Sequence, residues 1–498
     1  MIDPLGVNPD AFVKRACGDS VELIVASNRL PVSLAVTNGG VLVRSSSGGL
    51  ATALQPALAG VNAVWVGWPG ATAEELSRDI FGLRRGLRTC EGASLSPVHL
   101  SDSEVASYYQ AFSSGVLWPL FHELPEYVGT STDGRARYQE VNRRFAQVLA
   151  AQGGAETPCW VHDYHLLSCG RHLRELAPRR RLGFFLHIPF PHPSALAERE
   201  DVKELLLDLL HYDVVGFQSE HDLHNFVEFV AEAEGIDSIE SAGSGGYFLG
   251  GSQQLEARVF PIGIAAEDYA SLALEAEIDG QRDQIERRFE GRKLLLGIDR
   301  LDYTKGIEEK LRAYAVLLES REELRGEVTL FQLGVPTRSG VHGYSALEQN
   351  VRQLAEEINQ RFGHGDWKPV ELKVGTVSRT ELAALYRRAD VCLVTSLRDG
   401  MNLVCKEFAA CQLERQGVLV LSSKAGAADR LGAHSELVEP ASRRSLVGGM
   451  SRAVDLPLVE RRKRMTTLQS EVHAHDAAWW CDQFLAALLS PQEMQALA

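Results

Sequence analysis

The feature that most constrains the fold is a repeated alternation, in which short apolar runs are each followed by a longer stretch with helical spacing. Runs at 21–26 (VELIVA), 63–67, 159–162, 182–187 (LGFFLH) and 213–217 (DVVGF) form one series. A second series follows at 293–298 (KLLLGI), 328–333 (VTLFQL), 391–395 and 417–422 (GVLVLS). Runs without strict apolar/polar alternation predict strands buried on both faces, as in parallel sheets covered by helices. Between them, Ile307, Leu311, Tyr314, Ala315 and Leu318 fall on one face of a helix predicted over 307–319. The predicted class is therefore α/β.

A chain of 498 residues exceeds the usual size of one hydrophobic core, so two domains are expected. The break is placed near 262, where Pro261-Ile262-Gly263-Ile264 precedes a polar helical region. Just before it, the Gly- and Ser-rich segment 241–253 reads as a surface loop or hairpin. The expected division is 1–262, 263–475 and a closing helix within 476–498. That helix, about 477–490 (AAWWCDQFLAALLS), is too apolar to hang free and is expected to pack back toward the N-terminal domain.

Composition excludes several functions. Lys and Arg total 51 against 66 Asp and Glu, a formal charge of −15. Nucleic acid and anionic membranes both call for a broad positive surface, so neither is an expected partner. A phosphorylated substrate would have to be held by a few local cations. The 8 cysteines show no Cys-x-x-Cys pair and no zinc spacing. Cys159, Cys392 and Cys405 lie in or beside apolar runs and read as buried thiols, which fits a reducing cytoplasm. The first twenty residues carry no continuous apolar core, and no run is long enough to span a bilayer, so export is not expected.

In open α/β sheets ligands bind beyond the carboxyl ends of the strands, so polar residues just after strands are the candidates. The sequence has no G-x-G-x-x-G, no G-x-x-x-x-G-K-[ST] and no Asp-x-Asp. A bound diphosphate would therefore rest on side chains and helix ends. Arg300 and Lys305 lie in one strand-to-helix turn, 298–306, where Gly306 permits close backbone approach. Two cations with free amides suit a diphosphate leaving group. The alternative is that both are solvated loop charges paired with Asp299 and Asp302. In 398–407, Asp399 precedes a turn at Gly400, a helix is expected from about Asn402, and Glu407 could accept from a vicinal diol such as a ribose. The alternative there makes Asp399 a helix N-cap and Lys406–Glu407 an exposed helix face. In the first half, Arg29, Asp163 and His187 each follow a predicted strand, and Gly48-Gly49 precedes a helical stretch. A dehydrogenase is disfavoured by the missing glycine fingerprint, and a catalytically inert metabolite sensor would not need Arg300, Lys305 and Glu407 together.

Six motifs stand in one order: SNRLP at 27–31, LWPLFH at 117–122, VHDYHL at 161–166, FLHIPFP at 185–191, DRLDYTKG at 299–306 and RDGMNLVCKE at 398–407. Together they resemble those of the trehalose-6-phosphate synthases, over roughly residues 21–482. The resemblance implies the GT-B arrangement, two facing Rossmann-like domains with parallel sheets and an interdomain active-site cleft. It implies a retaining, metal-independent glucosyl transfer with no cofactor, from a nucleoside-diphosphate glucose to glucose 6-phosphate. By matching positions, Arg300 and Lys305 grip the donor diphosphate and Glu407 the ribose. Asp399 and His187 contact the transferred glucose, beside Val377 and the backbone of Met401, Asn402, Leu403 and Val404. Gly48 and Gly49 form a loop over the donor. Arg29, Tyr109, Trp118, Asp163 and Arg338 shape the acceptor pocket, with Arg29 and Arg338 on its phosphate. A cytoplasmic homo-oligomer, tetramer or dimer, is implied as well. Whether the donor is UDP-, ADP- or GDP-glucose is left open, because the identifiable residues touch only diphosphate and ribose. A relative acting on another phosphorylated acceptor is the main competing reading.

Overall fold

The computed structural model describes residues 21–37, 40–45, 49–58, 61–76, 93–131, 133–234, 239–242, 246–249, 255–337 and 344–489. They form two compact units: the first runs to Phe260 and resumes at Trp480, and the second is Pro261–Trp479. The crossings thus fall at 260/261 and 479/480.

The first unit is built on a nine-stranded sheet, in which β1 (Leu23–Arg29), β4 (Ala63–Trp68) and β5 (Ala93–Pro97) form one wing. On the other side of β1 come β6 (Cys159–His162), β7 (Leu182–Phe185), β8 (Val214–Phe217) and β11 (Leu255–Val259). These strands run parallel to one another. The far edge is an antiparallel hairpin of β9 (Ile239–Ala242) and β10 (Gly246–Leu249), in part of the segment 241–253 read as a loop or hairpin, of which 243–245 and 250–253 lie outside the described residues. A separate ribbon pairs β2 (Val32–Thr37) with β3 (Gly40–Ser45). Helix α1 (Gly49–Ala57) follows that ribbon, and α2 (Gly134–Ala150) buries Tyr138, Val141, Phe145 and Leu149 along one stripe.

The second unit carries a six-stranded, fully parallel sheet in the order β14-β13-β12-β15-β16-β17. Its strands are β12 (Lys293–Arg300), β13 (Val328–Val335), β14 (Val370–Val374), β15 (Val391–Val394), β16 (Val418–Ser422) and β17 (Glu436–Val438). Leu294, Leu295 and Leu296 are all fully buried, so consecutive residues of β12 face covered surfaces on both sides. Burial of such a side chain contributes about 1.5–3 kcal/mol. The covering helices include α3 (Ala266–Ile278), α4 (Ile307–Ser320), α5 (Arg379–Arg388), α6 (Val404–Cys411) and α7 (Leu458–Ala474). In α4 the predicted face is the buried one for Ile307, Leu311, Tyr314 and Leu318.

All nine predicted runs contain a strand. The unpredicted strands include the four edges of the two large sheets, β5, β9, β14 and β17. Of these, β5 and β14 are mostly half-buried, so the doubly buried apolar signal is missing from them. The closing helix α8 (Ala477–Leu488) enters the first unit at Trp480, where Phe484 stacks on Trp160 with ring centres 4.4 Å apart and planes 7° from parallel. Gly183 and Gly216 give it room, since a Cβ at either position would come within 2.7 and 2.9 Å of the Phe484 ring. No described helix is long and apolar enough to cross a membrane.

Candidate active site

In the first unit the strand order switches sides between β1 and β6, the place where open α/β sheets hold ligands. Arg29 closes β1, and its guanidinium lies 4.5 Å from the centre of the Trp68 ring at the end of β4. Its Nη2 donates to Ser33 Oγ at 3.2 Å. Gly70, at φ +90°, leaves that space open, because a Cβ there would meet Arg29 Nη2 at 2.2 Å. Burial lowers the Arg29 pKa, and the nearby Tyr109 phenol opposes the shift.

Tyr109 belongs to an unusual helix. Val105–Leu117 winds as a π-helix, and the Trp118 N–H at its end donates to the Ser113 carbonyl five residues back. Its start is anchored by a capping box between Ser101 and Glu104, and Glu104 also accepts from Arg144 at 2.5 Å. The wider turn carries Tyr109 edge-on to Trp68 at 5.8 Å and stacked on His165 at 5.7 Å. Trp118 is buried, with its ring 5.7 Å from Tyr164, which in turn lies 3.9 Å from His165.

Asp163 follows β6 with φ +75°, a region a residue with a Cβ enters only when its surroundings compel it. Its N–H donates to the Phe185 carbonyl at 2.8 Å, and its Oδ1 accepts from the His187 backbone N–H at 3.3 Å. His165 Nδ1 lies 3.9 Å from Asp163 Oδ2. His187, just past β7, meets His162 through Nε2 to Nδ1 at 3.2 Å. Burial holds His187 far below its ordinary value, down to about 3, and depresses His162 as well. The fold therefore gathers Arg29, Tyr109, Asp163 and His187 at neighbouring strand ends, with Trp118 adjoining through Tyr164. Trp68, His162 and His165 join them without having been picked out from the sequence. His162 and His165 lie inside the VHDYHL motif, whereas no local signal marks Trp68.

In the second unit the switch falls between β12 and β15. Arg300 ends β12 with a side chain 43% exposed and Nη2 4.0 Å from Asp302 Oδ2. Lys305, by contrast, is buried and donates from Nζ to Asp399 Oδ2 at 2.5 Å. The same oxygen accepts from Ser396 Oγ at 3.0 Å and Asn402 Nδ2 at 3.1 Å. The turn is compact because Gly306 sits at φ +61°, where a Cβ would stand 2.5 Å from the Thr395 carbonyl. Asp299 is taken by Lys310, Nζ to Oδ2 at 2.6 Å, fully buried behind the strand. Lys305 is thus neither solvated nor paired with Asp299 or Asp302.

The segment after β15 differs in detail from expectation. Helix α6 begins at Val404, with Leu403 as its N-cap, so Asp399 is not the cap of this helix. Asn402 adopts φ +74°, and a helix cannot start through it. Lys406 is buried and donates to the Ile262 carbonyl at 2.5 Å, and burial pushes its pKa down to about 8. Glu407 accepts from Tyr269 at 2.9 Å and Tyr386 at 2.7 Å, while burial raises its pKa against the pull of both hydroxyls. Neither residue lies on an exposed face. The two tyrosines come from α3 and α5, and nothing near Glu407 in the sequence announces them. Met401 is buried, Val377 is half-buried in the loop after β14, and Gly49 opens α1. Gly48 and Arg338 lie outside the described residues. Among those described, no group of three or more His, Cys, Asp or Glu side chains is placed to hold a metal ion.

Two parallel-sheet α/β units, each with polar side chains collected at its switch point, define the protein class as a GT-B glycosyltransferase. The profile of Glycosyltransferase family 20 matches residues 21–490, and the chain belongs to that family. It is 35% identical over 474 residues to a Sinorhizobium fredii protein named trehalose-6-phosphate synthase, covering 95% of this chain and 99% of the relative. It is 36% identical over 473 residues to a Dictyostelium discoideum alpha,alpha-trehalose-phosphate synthase (UDP-forming), where it covers 95% of this chain but only 63% of the longer relative. A crystal structure of a UDP-forming synthase of that kind from Burkholderia xenovorans, in complex with glucose-6-phosphate, superposes with a TM-score of 0.83 at 31% identity, covering 94% of this chain and 99% of that one.

Proposed function

We propose that this chain transfers a glucosyl group from a nucleoside-diphosphate glucose to glucose 6-phosphate, releasing the nucleoside diphosphate and forming trehalose 6-phosphate. The observation that carries this reading is the Lys305–Asp399 pair, 2.5 Å apart beside Arg300 at the β12/β15 switch point. One lysine and one arginine there face the work that a metal ion does elsewhere, stabilising charge on a departing diphosphate. Asp399 keeps Ser396 and Asn402 as donors when Lys305 turns to the phosphate. Family membership and the names of the relatives support the substrates, and the designation UDP-forming supports uridine as the donor base.

On the donor side, Glu407 takes the ribose diol with the lone pairs its two tyrosines leave. Asp399 and His187 hold the transferred glucose, with Val377 and the backbone of Met401, Asn402, Leu403 and Val404 alongside and Gly48 and Gly49 closing over it. On the acceptor side, Arg29 and Arg338 bind the phosphate, while Tyr109, Trp118 and Asp163 shape the sugar pocket. Transfer retains configuration through front-face attack. The acceptor 1-hydroxyl oxygen bonds to the anomeric carbon as the carbon–diphosphate bond breaks on the same face, and the hydroxyl proton passes to the departing diphosphate. A double displacement needs a free carboxylate nucleophile, and Asp399 is committed to a hydroxyl of the sugar. The buried free thiols Cys159, Cys169, Cys392, Cys405 and Cys411 support a reducing, cytoplasmic setting.

The test is release of nucleoside diphosphate from UDP-, ADP- and GDP-glucose, each with and without glucose 6-phosphate. Acceptor-dependent release with at least one donor is expected. Release that ignores glucose 6-phosphate, or none with any donor, overturns the assignment.

A further inference from the structure

His162 is the last residue of β6 and is fully buried. Its ring packs against Trp160, with centres 4.6 Å apart, and lies 6.2 Å from Trp480. Its Nδ1 meets His187 Nε2 at 3.2 Å, whereas its Nε2 is buried with no hydrogen-bond partner among the described residues. The indole N–H groups of Trp160 and Trp480 are likewise buried without acceptors among the described residues. Burial penalises the imidazolium of both rings and so favours their neutral forms.

Two neutral imidazoles joined by one hydrogen bond have coupled tautomers, since one nitrogen must donate and the other accept. If His187 donated from Nε2, then His162 would carry its proton on Nε2, adding a third orphaned N–H to a pocket that already holds two. If His162 donates from Nδ1, its Nε2 is a bare lone pair among indole donors, and His187 must carry its proton on Nδ1. Buried orphaned N–H groups are the rarer and costlier defect.

We propose that His162 is a positioning residue for glucosyl transfer, locking His187 in the tautomer whose Nδ1 carries the proton so that it meets the sugar as a hydrogen-bond donor. This rests on the reading above that His187 touches the transferred glucose. His162 itself lies beneath that contact and acts through its neighbour, as outer partners of functional histidines do elsewhere.

Two variants and one spectroscopic measurement test it. His162→Phe keeps a ring and removes the donor, and turnover should fall about tenfold, the size of one neutral hydrogen bond. His162→Asn places an amide N–H near the Nδ1 position and should restore most of the loss. In wild-type protein the ¹⁵N shifts of His187 should report protonated Nδ1 and bare Nε2, and His162→Phe should shift that balance toward Nε2–H. Wild-type His187 protonated on Nε2 overturns the proposal even if the phenylalanine variant fails to fold, and so does full turnover in His162→Phe. His187→Ala separates the two levels: unchanged activity there sinks the assigned contact, whereas a large loss there beside a silent His162→Phe sinks only the coupling.

Discussion

Lys305 and Asp399, separated by 94 positions in the chain, form an ion pair 2.5 Å long, and the side chains are only 10% and 13% exposed. It exists because β12 and β15 are adjacent at the switch of the sheet, so the turns that follow them converge. Removing the lysine strips a preplaced charge from the proposed diphosphate site. Lys305→Ala should lower kcat about 10²–10³-fold, the usual cost of one such electrostatic group. Steady-state kinetics at saturating substrates decides it, and near-normal turnover refutes the role.

Glu407→Gln tests the tyrosine clamp. The carboxylate accepts from Tyr269 and Tyr386 on opposite oxygens, and an amide nitrogen would face one hydroxyl with a donor. The variant should fold with a loss of about 1–3 kcal/mol, and KM for the donor should rise roughly tenfold while KM for glucose 6-phosphate holds. A donor KM that stays put would remove Glu407 from the nucleotide site.

Asp163 separates stability from function. Its φ of +75° costs a residue with a Cβ about 1–3 kcal/mol, which glycine does not incur. Asp163→Gly should therefore unfold no earlier than Asp163→Ala, and both should lose acceptor binding. Thermal unfolding alongside acceptor kinetics checks this, and a glycine variant with full activity would count against the pocket assignment.

Acid should destabilise the first unit through its histidine pair. His187 is held near 3 from an ordinary 6.5, and burial depresses His162 too. Below pH 6.5 the unfolded chain takes up protons that the folded rings refuse, so stability is full above that value and declines as pH falls beneath it. Each ring contributes a slope of about 1.4 kcal/mol per pH unit. Denaturant midpoints between neutrality and about pH 5 should thus fall more steeply for wild type than for His187→Gln. Parallel slopes would show that the ring is not held neutral.

Phe484→Ala should cost about 3–5 kcal/mol. The ring stacks on Trp160 and fills the space left over Gly183 and Gly216, so its removal leaves a cavity in the core. Chemical denaturation gives the value, and a loss under about 1 kcal/mol would mean that the closing helix adds little to the core.

Much of the fold is legible locally. Doubly buried strands such as β12 and β15 declare themselves because their central residues are apolar whichever face they take, and the DRLDYTKG and RDGMNLVCKE turns stand out because charged residues gather in them just past those strand centres. Edge strands such as β5 and β14 do not, since half-buried faces tolerate polar residues.

The chain by itself thus determined the two α/β sheets, the turns that bear Arg300, Lys305 and Asp399, and the family resemblance, all of which are written in short contiguous runs. Only the tertiary structure decided what each charged or polar group meets. It gave Lys305 to Asp399 and Asp299 to Lys310, set two tyrosines on Glu407, buried Lys406 and bonded His162 to His187. The reason is physical: periodicity reports burial along one element, but a hydrogen bond depends on which strand ends lie side by side, and strand order is settled by packing the whole sheet.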